Sequence, residues 1–178
     1  MVIPKLEKIM QFKRSFLTML TKLARDMHVK TIIRTSTNPD KKKFKPLSTK
    51  YKRNKAQLYN STKPNLRATG QMFNELQAQK PQKVGSGPNA KGLGSVTNII
   101  LTYGIKSGAS HPRNKGSIPT GQLMNLHQNG TSNMPSRDIA GEKVLHDVTR
   151  DKVVNLLVNQ INKNIRDALN PKSTTETL

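Results

Sequence analysis

The stretch SVTNIILTYG, residues 95–104, decides the fold class. Val96, Ile99, Ile100, Leu101 and Tyr103 are β-branched or bulky, and Gly104 ends the run. Such residues suit a pleated, half-buried surface, and a run this short between glycines reads as a strand rather than a helix. A partner strand is expected near residues 80–84. The Gly-rich piece between them, GSGPNAKGLGS, superficially resembles a phosphate-cradling loop. It lacks Lys-Ser/Thr after its final glycine and no helix starts there, so it reads as a plain loop.

Outward from the strand, the apolar residues follow helical spacing. Leu6, Ile9, Met10, Phe16, Leu17, Leu20, Leu23, Ala24 and Met27 recur every three or four positions, which predicts an amphipathic helix over residues 6–27. At the other end, Val153, Val154, Leu157, Ile161, Ile165, Ala168 and Leu169 predict a helix over residues 149–169, with Asp151 in its first turn and Arg166 in its last, matching the helix dipole. Asn170-Pro171 stops it, and residues 170–178 read as a disordered tail. Between these lie two shorter helical patterns, LRATGQMFNELQ (residues 66–77) and GQLMNLHQNG (residues 121–130). In the first, Gly70 either interrupts the helix or marks its start with Thr69 as cap. The expected fold is a single α+β domain over residues 1–178. In it a small antiparallel sheet packs with N- and C-terminal amphipathic helices, and a long basic arm or loop is attached.

That arm is residues 31–65. From residue 31 to 67 there is one acid, Asp40, against eleven Lys and Arg. Charge this dense resists compaction, so an extended arm between the first helix and the core is expected. A short helix over residues 48–58, capped by the Ser48 hydroxyl, fits within it. Lys41, Lys42, Lys43, Lys45, Lys50, Lys52, Arg53 and Lys55 are the candidate contacts to nucleic acid or to an acidic partner. The whole chain carries 31 Lys and Arg against 10 Asp and Glu, a net charge of +21. An excess of this size calls for a polyanion or for acidic neighbouring surfaces.

Composition narrows the class further. Hydrophobic residues make up 33% and aromatics 4%, with no Trp, against a usual ~45–50% apolar including Gly. A chain this poor in apolar residues completes its burial by association with copies of itself or with a partner. Cysteine is absent, which removes disulfides and thiolate metal sites and fits a reducing cytoplasm. The charged N-terminal stretch reads as neither signal peptide nor anchor, and no run approaches a bilayer span, so no membrane role is expected. Four histidines, His28, His111, His127 and His146, are scattered, and the acids are thinly spread. His127 and His146 could in principle share a metal, although isolated histidines more often pack or hydrogen-bond. No H-x-x-x-H, D-x-D or G-x-x-x-x-G-K pattern occurs. Neither a catalytic set, a cofactor nor a metal is expected.

Several short segments, in one order, carry a specific resemblance. They are PLSTKYKRNK (residues 46–55), LRATGQMFNELQ, the strand SVTNIILTYG, LHQNG (residues 126–130), MPSRDIAG (residues 134–141) and the closing helix. In this order they resemble the virion-morphogenesis, or tail-completion, proteins of Mu-like phages and related neck proteins of tailed phages, over about the second two-thirds of the chain. Two segments depart from that pattern. Asn129 replaces the usual aromatic of the H-Q-x-G turn, and Ile139-Ala140 replaces the usual Phe-Leu after P-x-R. The resemblance implies a non-enzymatic structural protein of the virion neck or head–tail junction, assembled in the host cytoplasm. It also implies a ring, commonly of six copies, around the DNA channel, joining connector or adaptor to tail-tube or tail-terminator proteins. Arg137 and Asp138 are the candidate subunit-interface residues, a charged pair before a glycine. The competing expectation is a free basic nucleic-acid-binding protein of ribosomal or nucleoid type, supported by charge alone.

Overall fold

The structure is a computed structural model and describes residues 9, 12–64, 71–80, 82–84, 98–105, 118–132 and 134–170. Helix α1, Arg14–Thr35, presents Leu17, Leu20, Thr21, Ala24, His28 and Ile32 on one buried face, the three-and-four spacing of a single stripe. It runs past Met27, the expected end, because Val29 and Ile32 join the core; burial there outweighs the modest helix propensity of β-branched residues. The threonines are accommodated by donating to the carbonyl four residues back, as Thr21 does to Leu17 and Thr31 to Met27, both at 2.9 Å. Residues 6–8, 10 and 11 of the expected helix lie outside the described residues. α1 ends where Ser36 turns left-handed and its N–H donates to Ile32 O at 2.9 Å.

The basic segment is only partly the extended arm that its charge suggests. Thr37 and Lys43 pair across a tight antiparallel turn, and Phe44 drops into the core. Helix α2, Thr49–Tyr59, follows, with Ser48 Oγ accepting the Tyr51 N–H at 3.3 Å. Asn60 closes it in the left-handed conformation. Anchors therefore interrupt the charge. Asp40 accepts the backbone N–H groups of Glu142 and Lys143 at 2.8 and 3.1 Å, which ties the turn to a segment a hundred residues on.

Helix α3, Gln71–Asn74, is a single turn carrying buried Met72 and Phe73. The helix expected to continue to residue 77 instead gives way to strand β1, Leu76–Ala78. The cause is long-range. β1 pairs antiparallel with β4, Tyr103–Ile105, so its backbone groups find ladder partners that a longer helix would forgo. Strand β2, Gln82–Val84, pairs with β3, Asn98–Ile100, as the expected partner strand near residues 80–84 requires.

The run around residues 95–104 is thus two strands. Between the Gln79–Thr102 hydrogen bond and the Gln82–Ile100 pair, the first side advances three residues and the second two. The two ladders are separate two-stranded sheets, offset by one residue in register, and the sequence between β1 and β2 holds Pro81, which has no N–H to give a ladder. Residues 85–97, including the Gly-rich loop, lie outside the described residues.

Helix α4, Thr120–Asn129, ends at Gly130, whose φ of 77° and close neighbours Ser136 N and Met134 O leave no room for a Cβ. Helix α5, Asp147–Leu169, closes the fold and packs against α1. The core lies where the second half of α1 meets α3 and β1, sealed by Phe44 and Ile139. Arg25 pins that junction by donating to Leu76 O and Phe73 O, each at 2.6 Å. The architecture is α+β, as expected, with helices toward both ends flanking a small antiparallel sheet. Residues 171–178, most of the expected tail, lie outside the described residues.

Candidate functional site

Lys41, Lys42, Lys43, Lys45, Lys50, Lys52 and Arg53 are all exposed. The first three ride the turn braced by Asn38, whose Oδ1 accepts Lys42 N–H and whose carbonyl accepts Lys41 N–H, both at 3.0 Å. Lys41 takes a left-handed φ of 64° and its ammonium lies 3.5 Å from Asp147. Lys41, Lys143 and Arg150 gather around Asp147 at the start of α5. Lys143 and Arg150 each approach Asp147 at 3.7 Å. These exposed pairs contribute little to stability, but they leave most of the cationic surface presented to solvent.

Lys55, grouped with these by sequence, behaves differently. It is 2% exposed and donates to Lys63 O at 2.5 Å. It lies beside Arg137, 5% exposed, and burial together with that guanidinium lowers the Lys55 pKa. Arg137 N–H donates to His127 O at 2.7 Å. Burial and Arg137 push the His127 pKa down to about 4, so the ring is neutral near pH 7. Arg137 Nε and His127 Nδ1 are buried with no hydrogen-bond partner among the described residues. The sequence signals for these three residues lay in separate segments, so only the fold unites them.

Asp138 does not pair with Arg137. Its Oδ1 accepts the N–H groups of Ala140 and Gly141 at 3.2 and 3.0 Å, closing its own turn. Together with Ser136 Oγ donating to Gln128 O at 2.5 Å, these bonds fix MPSRDIAG against α4. Ile139, the departure from the phage pattern, is 2% exposed in the core, so this position is a packing anchor.

His146 meets His28 rather than His127, at 5.3 Å between ring centroids. Burial, then the His146 charge, lowers the His28 pKa to about 4. No group of three or more His, Asp or Glu that could hold a metal occurs among the described residues. No helix among them is long and apolar enough to cross a membrane.

The closing helix carries a feature that periodicity alone did not separate. Only Thr149 of α5 is fully buried. Val154, Val158 and Leu169 remain 47%, 46% and 54% exposed, and half-buried Ile161 and Ile165 continue the same stripe. An adjoining open hollow is lined by Asn159, Asn162, Ile165 and Arg166. No protein-family model matches the chain, and no curated protein or solved structure matches it either.

Proposed function

We propose that the chain is a non-enzymatic structural subunit of a tailed-phage particle, placed at the neck or head–tail junction and assembling as a ring around the DNA channel. One observation carries the reading: an apolar stripe along α5, open over Val154, Val158 and Leu169, on a chain whose net charge is +21. Solvent-facing apolar residues in a continuous row mark an interaction surface. A subunit covered by its neighbours on that row and facing a polyanion with its lysines satisfies both needs at once. The resemblance of the ordered segments, including MPSRDIAG and the closing helix, to Mu-like tail-completion proteins is in line with the same reading. On this reading Arg137 and Asp138 belong to the subunit interface.

A free nucleic-acid-binding protein remains the second reading, favoured by the exposed lysines of residues 41–45 and of α2. The two differ in what the apolar stripe does. Val154→Asp with Val158→Asp places charges on exposed positions, so the fold survives. Sedimentation of this variant should show loss of the assembled species with unchanged circular dichroism. Identical sedimentation of variant and wild type as monomers would contradict the subunit reading.

A further inference from the structure

Two imidazoles packed together away from water resist taking up a proton, because the charged form loses its hydration. His28 of α1 is 2% exposed, and His146, which leads into α5, is 7% exposed. Their ring centroids lie 5.3 Å apart, and the Tyr103 ring of β4 lies 5.8 Å from His28. His28 Nδ1, His146 Nε2 and the Thr149 hydroxyl are buried with no hydrogen-bond partner among the described residues. No carboxylate there forms an ion pair with either ring. Asp147, beside His146, is held among Lys41, Lys143 and Arg150. One turn before His28, Arg25 is engaged with Phe73 O and Leu76 O. α3 and β1 carry no titratable side chain, so Tyr103 and Asp147 are the titratable neighbours that other elements bring to the pair.

Two observations make α5 the element that yields. It packs against α1 and fully buries only Thr149, whereas the second half of α1 shares the core with α3 and β1. Val144, two residues before His146, takes a φ of 58°, a left-handed conformation that strains a β-branched residue. That lead-in relaxes once His146 comes out.

We propose that the His28–His146 contact is a pH-sensitive joint, in which protonation of the pair releases the start of α5 from α1 while the core of α1, α3 and β1 stays closed. Charging one ring strands a cation in a buried contact, and charging both sets like charges side by side. Parting the rings lets water reach them. Burial, then the His146 charge, lowers the His28 pKa to about 4, and burial lowers that of His146. The open form therefore takes up protons first. Closure is fully present above about pH 6.5 and is lost as pH falls toward 4. Burial and ring geometry carry the joint whether or not the particle reading holds.

The test is amide hydrogen exchange of the purified protein at pH 7 and pH 5, expressed as protection so that the intrinsic pH dependence of exchange cancels. At both pH values residues 149–157 should be less protected than residues 28–32 and respond little to low urea, the mark of a local opening. A ring passing from a pKa of about 4 closed to 6.5 open raises the open population roughly twenty-fold between pH 7 and 5. Protection of residues 149–157 should fall by that order. His28→Gln with His146→Asn should remove the fall, Asn keeping a side chain able to cap α5. Protection and urea response in residues 149–157 that match those of residues 28–32 would overturn the joint. So would protection unchanged at pH 5, or a fall that the double variant retains. If the double variant does not fold, an undiminished fall in His146→Asn alone overturns it equally.

Discussion

Asp40 is the single acid between residues 31 and 67, and its position explains why that segment does not stay extended. Its two oxygens accept the Glu142 and Lys143 N–H groups, and these bonds hold its pKa below the usual carboxylate range. Gly141 makes the contact feasible: its φ is 62°, and a Cβ there would lie 2.6 Å from Asp40 Oδ2. Gly141→Ala should therefore destabilise the fold by about 1–2 kcal/mol, combining left-handed strain with displacement of the carboxylate, measured by urea denaturation. His28 sets a second residue-scale expectation. In the fold its pKa is lowered from 6.5 to about 4 by burial and by His146, against Tyr103 on its other side and with Asp147 following His146. The unfolded chain then binds the extra proton first, so stability is fully present above about pH 6.5 and falls as pH drops toward 4. Tm should decline between pH 7 and 5, and His28→Gln should flatten that decline. A slope unchanged in the variant would assign acid sensitivity to other groups.

At the scale of elements, the legible parts are those set by local chemistry. The Ser48 cap, the Gly130 stop and the Val153-to-Leu169 stripe each depend on neighbours a few residues away, and each element stands where the pattern put it. The illegible parts are those decided at long range. The end of α1 moves to Thr35 because Val29 and Ile32 meet Phe73 and Ile139, and β1 replaces a helical turn because β4 offers it a ladder. Lys55 shared its charge and its helix with Lys52 and Arg53, and nothing local marked it as the residue that turns inward beside Arg137. Two tests belong at this scale. Ser48→Ala should cost about 1 kcal/mol, because the first turn of α2 loses its side-chain acceptor, read from chemical denaturation. Replacing Lys41, Lys42, Lys43 and Lys45 with Ser tests the exposed turn. If these lysines meet duplex phosphates, the log–log salt slope of DNA binding should flatten by about 0.9 per lost contact. An unchanged slope alongside lost assembly would assign the turn to a protein neighbour.

For the whole molecule, composition and structure point to the same deficit. In a chain with 33% hydrophobic residues, the described residues build a small core around α1, α3, β1, Phe44 and Ile139 and leave the outer stripe of α5 facing water. Exposed lysines lie on the turn and α2 and also on α1 and the closing helix, Lys22, Lys30, Lys152 and Lys163 among them, and the apolar row runs along that closing helix. A closed ring made by heterologous contacts would cover each apolar row with the next subunit and repeat the basic surface around an axis. The measurement that tests this most directly is negative-stain imaging of the purified protein, with and without duplex DNA. The account predicts closed rings of uniform subunit number with a central opening, present without DNA and lost in Val154→Asp with Val158→Asp. Dispersed monomers that coat random duplex DNA and never close would contradict it.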